Sequence, residues 1–128
     1  MLYNAFLILM SQLVSRKKAH VVIDEESIFF ELGNKENHFT FYTKVYSGDG
    51  YLPQAIRSCV SSSGVLRWQE SGAYLKLDPL THSVYLFQEA RMEVGKYLPF
   101  KHFLSDFRAV SQEWREIFRE FAGQDSQA

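Results

Sequence analysis

The stretch from Ala19 to Tyr46 constrains the fold most: its three strand-like runs are joined by connections too short for anything but antiparallel pairing. Ala19–Asp24 carries the β-branched core Val21-Val22-Ile23, and Asp24-Glu25-Glu26 supplies a polar turn. In Ser27–Leu32, the side chains of Ile28, Phe30 and Leu32 face one way and those of Phe29 and Glu31 the other. Gly33-Asn34-Lys35-Glu36-Asn37 has the composition of a turn. His38–Tyr46 then alternates Phe39, Phe41, Thr43 and Val45 against Thr40, Tyr42, Lys44 and Tyr46. A parallel crossover needs about a dozen residues or more, so these runs form a meander. Its second face carries Phe29, Tyr42 and Tyr46 and is therefore amphipathic.

Helical patterns flank the meander. From Leu2 to about Ser15, Leu2, Phe6, Leu9 and Leu13 make one stripe, and Tyr3, Leu7, Met10 and Val14 make its neighbour. Two adjacent stripes exceed one packing face, so this helix is either covered on most sides or presents apolar surface to something else. After the break at Ser47-Gly48-Asp49-Gly50, Pro53 suits the first turn of a short helix running to about Ser62. Leu52, Ile56, Cys59 and Val60 share its apolar face, and Ser61-Ser62-Ser63-Gly64 ends it. Val65–Gln69, with Leu66 and Trp68, reads as extended. Ala73–Leu77 and Ser83–Gln88 form a hairpin around Asp78-Pro79-Leu80-Thr81-His82. From about Leu98 to Phe121, Phe100, Phe103, Leu104, Phe107, Val110, Trp114, Ile117, Phe118 and Phe121 fall on one side of a helix, with Gly123 as its stop. The order is α-β-β-β-α-β-β-α. This predicts one two-layer α+β domain over residues 1–123, an antiparallel sheet with helices packed on it, and a disordered tail at 124–128.

Composition narrows the function classes. With 46% hydrophobic and 23% charged residues, the 128-residue chain has a globular balance. Aromatics reach 16%, from 11 Phe, 7 Tyr and 2 Trp, more than one core of this size hides easily, so some rings are expected at an interface. Net charge is −1 and Arg16-Lys17-Lys18 is the only run of three cations, which provides no broad field for nucleic acid. Cys59 is the only cysteine and no Asn-x-Ser/Thr sequon occurs, as suits a reducing cytosol. Leu2–Met10 is too short to span a bilayer and lacks a basic leading segment, so no membrane insertion is expected.

No motif carries chemistry. His20, His38, His82 and His102 are scattered without metal-ligand spacing. Neither a G-x-S-x-G elbow nor a complete P-loop occurs, and Gly48-Asp49-Gly50 reads as a plain turn. Cys59 reads as a small buried hydrophobe, and Asp24-Glu25-Glu26 as a solvated turn. With no nucleophile, base and orienting group together, neither catalytic residues nor a cofactor or metal are expected, and binding is the better reading. A small-ligand pocket lined by the surplus rings stays open as an alternative.

Three passages resemble the class I type III secretion chaperones. They are the apolar leading helix with Val21-Val22-Ile23-Asp24-Glu25-Glu26-Ser27-Ile28-Phe29-Phe30, the late hairpin Tyr74-Leu75-Lys76-Leu77-Asp78-Pro79-Leu80-Thr81-His82-Ser83-Val84-Tyr85-Leu86, and the closing Phe103-Leu104-Ser105-Asp106-Phe107 with Ser111-Gln112-Glu113-Trp114-Arg115. Leu52-Pro53-Gln54-Ala55-Ile56 departs from the leucine-rich, asparagine-containing opening common in that family's middle helix, and the charge is less acidic than is usual there. The resemblance implies a homodimer in the bacterial cytoplasm that keeps an extended, non-globular effector segment secretion-competent, with the secretion-apparatus ATPase as a further partner. Effector binding is then assigned to Leu2, Phe6, Val22, Phe29 and Tyr42, in a groove between the leading helix and the first sheet. Dimerisation is assigned to Ile56, Cys59, Val60, Leu66 and Trp68. A chaperone-like adaptor subunit of a heterodimer is the alternative within the same family.

Overall fold

A computed structural model describes residues 1–35, 37–49, 51–61, 67–68 and 73–127. Its elements are α1 (Tyr3–Arg16), β1 (Lys18–Ile23), β2 (Glu26–Leu32), β3 (His38–Ser47), α2 (Gln54–Ser61), β4 (Arg67–Trp68), β5 (Ala73–Asp78), β6 (Ser83–Arg91) and α3 (Tyr97–Gln127). The order expected from the sequence is present, and the two-residue β4 falls within the run Val65–Gln69 that reads as extended. All pairings are antiparallel, and the strands lie in the order β1-β2-β3-β6-β5-β4. β1 is therefore an edge strand, and the long β3–β6 pairing at the centre joins the meander to the late hairpin.

Local chemistry sets the connections. Asp24 and Glu25 both take left-handed φ values, 50° and 68°, as a tight two-residue hairpin turn requires to match the strand twist. Lys17 caps α1 in the left-handed conformation, its N–H donating to the Leu13 carbonyl at 2.9 Å. At Gly48 a Cβ would collide with the carbonyl oxygens of His82 and Tyr51, so only glycine lets the turn after β3 approach the β5–β6 turn so closely.

The helices cover one face of the sheet. Ile28, Phe30, Phe39, Phe41, Leu75, Val84 and Leu86 point into that layer and are buried, meeting Phe6, Leu9 and Leu13 of α1, Ile56 and Val60 of α2, and Phe100, Phe107 and Phe118 of α3. Phe100 is the hub: its ring lies 5.5 Å from Phe6, 5.5 Å from Phe30, 6.1 Å from Phe39 and 5.3 Å from Phe41. These tilted and edge-on contacts suit the ring quadrupole, and burying each such ring contributes about 1.5–3 kcal/mol.

Two expectations are corrected. Tyr46 does not share a face with Tyr42: an irregularity in the β3–β6 register between Lys44 and Tyr46 turns it inward, opposite Val84 and 6.3 Å from the Phe118 ring. Nor does α3 stop at Gly123, since it continues to Gln127, through the segment expected to be a disordered tail. A glycine terminates a helix by adopting positive φ, and Gly123 does not.

Candidate functional site

α1 buries one side only. Phe6, Leu9, Met10 and Leu13 enter the core, while Tyr3, Leu7, Ile8 and Val14 remain 47–63% exposed and Leu2 is 80% exposed. The helix thus takes the second option its two stripes allowed: much of its apolar surface faces water. The stripe through Tyr3, Leu7 and Val14 is the outward one. The sequence signal for these residues was present, but periodicity alone does not say which of two adjacent stripes meets the sheet.

Beside α1 runs the edge strand β1. Ala19, Val21 and Ile23 pack toward the helices, whereas Lys18, His20 and Val22 point to the other face. Val22, 62% exposed, is a large apolar side chain standing in water on a strand with one unpaired edge.

The face of the sheet opposite the helices carries a ladder of rings in register across five strands. His20 pairs with Phe29, Phe29 with Tyr42, Tyr42 with Phe87 and Phe87 with Tyr74. Their centroids are separated by 5.6, 5.1, 4.9 and 5.3 Å, and successive planes tilt by 9–26°. Cross-strand aromatic pairs stabilise a sheet that no helix covers. The Tyr42 hydroxyl donates to Glu31 Oε1 at 3.4 Å. Partial burial, with Glu31 nearby, holds that phenol above its ordinary pKa of 10.0.

The acidic turn is more than a solvated turn. Asp24 Oδ2 accepts from Arg108 Nη2 at 2.8 Å, and Glu26 Oε2 pairs with Arg115 Nη1 at 2.9 Å with both side chains largely buried. Gln112 also donates to Glu26. Arg115 Nη2 donates to Thr43 Oγ1 at 3.0 Å and to the Lys44 carbonyl at 2.9 Å, tying α3 to the β1–β2 turn and to β3. Burial pulls the Arg115 pKa down from the usual guanidinium value, and Glu26 opposes that shift. Every member is committed to another within the fold. The arrangement holds α3 to the sheet.

The five residues assigned to effector binding do not line one groove. Leu2 and Phe6 belong to α1 on the helical side, whereas Val22, Phe29 and Tyr42 face the opposite side of the sheet. Phe6 is fully buried against Phe100 and Tyr97, so its side chain is not available to a partner in this conformation. Of the five assigned to dimerisation, Ile56 and Val60 are buried within the chain, where α2 packs on α3 and β5. They hold α2 down and do not face outward. Leu66 and the side chains of Cys59 and Trp68 lie outside the described residues.

Among the described residues no group of three or more His, Cys, Asp or Glu side chains could hold a metal ion, and no helix is long and apolar enough to cross a membrane. The surfaces that remain to be explained are apolar and aromatic.

No family model and no curated protein sequence matches the chain. It is similar to a chain in the crystal structure of the ExsC–ExsE complex, over 90% of this chain and 93% of that one, with a TM-score of 0.65 and 16% identity. It is also similar to a chain in the ExoT–SpcS complex from Pseudomonas aeruginosa, over 88% of this chain and 98% of that one, with a TM-score of 0.51 and 10% identity. At such identities the likeness concerns the fold. The chain has the class I type III secretion chaperone-like α+β fold that its sequence resembles.

Proposed function

We propose that this chain is a secretion chaperone that binds an extended, non-globular segment of a secreted effector protein and keeps it competent for export from the bacterial cytosol. The observation that carries this reading is the outward side of α1, where Tyr3, Leu7 and Val14 form an exposed stripe, with Ile8 on the helix and Leu2 just before it also exposed. A stripe of exposed apolar side chains along a helix marks an interaction surface. α1 packs against β1, whose outer edge is open. An extended segment added there satisfies its main-chain hydrogen bonds on β1 and sends alternate side chains toward α1. Its other side chains meet Val22 and the outer face. Such binding needs neither nucleotide nor metal, and affinity comes from backbone pairing with apolar burial.

Site-specific photo-crosslinking tests this. A photoreactive side chain placed at Leu7, Val14 or Val22 is expected to capture the co-expressed effector through one segment. Leu80, 91% exposed in the β5–β6 turn, is the control and is expected to capture none. Equal capture from all four positions would contradict the assignment.

The same reading includes a homodimer, expected at about 30 kDa by light scattering, twice 14.9 kDa. Its contact lies at the α2–β4 end, with Ile56 and Val60 supporting it from beneath. Ile56→Asp should therefore unfold the chain, while Trp68→Glu should leave a folded monomer.

A further inference from the structure

We propose that the segment added to β1 carries an aromatic side chain opposite His20, extending the ring ladder by one more strand, and an aliphatic one opposite Val22. The inference rests on the strand-addition reading and deepens it, since it fixes the register and the residue class that the edge selects. Backbone parity sets the register. The Leu32 N–H donates to the Lys17 carbonyl at 2.9 Å, so Lys17 and Leu32 are a hydrogen-bonded pair of the β1–β2 ladder. Such pairs alternate along an antiparallel ladder. With Ala19 opposite Phe30 and Val21 opposite Ile28, the odd-numbered residues of β1 spend their polar groups on β2. The N–H and C=O groups of Lys18, His20 and Val22 therefore point out of the sheet edge. On the other side of β2, the Gly33 N–H donates to the His38 carbonyl at 2.8 Å. By the same alternation the polar groups of Phe29 turn toward Tyr42 and away from His20.

An antiparallel strand bonded to His20 sets one residue directly across from it, and the two side chains share the outer face. The sheet already shows how rings sit in that relation. Phe29 and Tyr42 are such a hydrogen-bonded pair, and their rings stack at 5.1 Å with planes 13° apart. His20 is exposed; its imidazole stacks on Phe29 at 5.6 Å, and among the described residues no ring lies on its other face. A depression of about 510 Å³ opens beside it, bordered by Lys18, His20, Phe29 and Tyr42 and by Gln12 and Arg16 of α1, which leaves room for a further ring. Two residues along β1, Val22 offers an apolar contact that is 62% exposed. Pairing antiparallel, as every strand of this sheet does, the segment reads aliphatic, any residue, aromatic in the N-to-C direction. A second copy of this chain is a poorer occupant, because two β1 strands paired antiparallel about His20 set Val22 against Lys18.

The probe is a fluorescent peptide, Ser-Val-Leu-Phe-Leu-Thr-Ser, followed by anisotropy with the full chain. It should bind about fivefold more tightly than the same peptide with Leu in place of Phe, the size of one cross-strand aromatic pair. His20→Ala should abolish that preference at unchanged melting temperature, and His20→Tyr should keep it. N-methylation of the Phe amide, which faces β1, should weaken binding at least about tenfold. N-methylation of the Leu after it, which faces water, should change binding little. Equal binding of the Phe and Leu peptides, or a preference that survives His20→Ala, would overturn the ladder and leave strand addition standing where the Phe N-methyl effect remains. Tolerance of N-methylation at Phe would overturn the register, and no binding of any peptide would overturn the strand-addition reading with it. Hydrogen-exchange protection of Lys18–Ile23 that rises with protein concentration in the absence of peptide would put a second copy at the edge and overturn the proposal.

Discussion

Phe29 and Phe30 are neighbours on one strand with opposite fates. Phe30 is fully buried, its ring 4.8 Å from Phe41 and 5.5 Å from Phe100 beneath the helices. Phe29 stands on the uncovered face, half-buried between His20 and Tyr42. Composition and propensity are identical for the two, so the difference comes from strand parity and from which face the helices cover. The buried face holds the core, and the other is left uncovered by the helices.

Substitutions can break this contrast. Phe30→Ala and Phe100→Ala each remove a ring from the packed layer and should cost about 3–5 kcal/mol in chemical denaturation. Phe29→Ala should cost about 1 kcal/mol, since it loses only cross-strand stacking. Equal costs would mean that the outer face is as much core as the inner. Arg115→Ala should fall between them at about 2 kcal/mol, because Glu26 is left largely buried without its partner.

The α1 surface should behave oppositely to the core. Leu7→Glu is expected to change stability by no more than about 0.5 kcal/mol yet to weaken effector capture at least about tenfold. The smallest effect concerns Tyr42. Its raised pKa favours the protonated phenol in the folded state, so its contribution is intact below about pH 10 and is lost as pH rises through the folded value. Ultraviolet titration should show a late tyrosine component that disappears in Tyr42→Phe.

Much of this was legible in the sequence because it depends on local periodicity. The alternation of Phe39 and Phe41 with Thr40 and Tyr42 gave both the strand and its faces, and the apolar spacing from Phe100 to Phe121 gave α3. What escaped depends on tertiary placement. Tyr46 left its expected face through a register irregularity that no residue type announces. Ile56 and Val60 were read as interface because an amphipathic stripe looks the same whether it meets its own chain or another. The same ambiguity put Phe6 in the binding set, where the adjacent stripe through Leu7 is the exposed one. His20, Tyr74 and Phe87 joined the ladder only once the strand order brought β5, β6 and β1 into one sheet. The committed roles of Asp24 and Glu26 required α3 to pass over the turn.

The central claim is that an extended segment occupies the open edge of β1 beside the exposed side of α1. Hydrogen–deuterium exchange on the chain alone and with its captured effector tests it most directly. Amides of Lys18–Ile23 should exchange much more slowly in the complex, with protection extending to α1 and lost in Leu7→Glu. Protection confined to the α2–β4 end, or none in β1, would contradict the account.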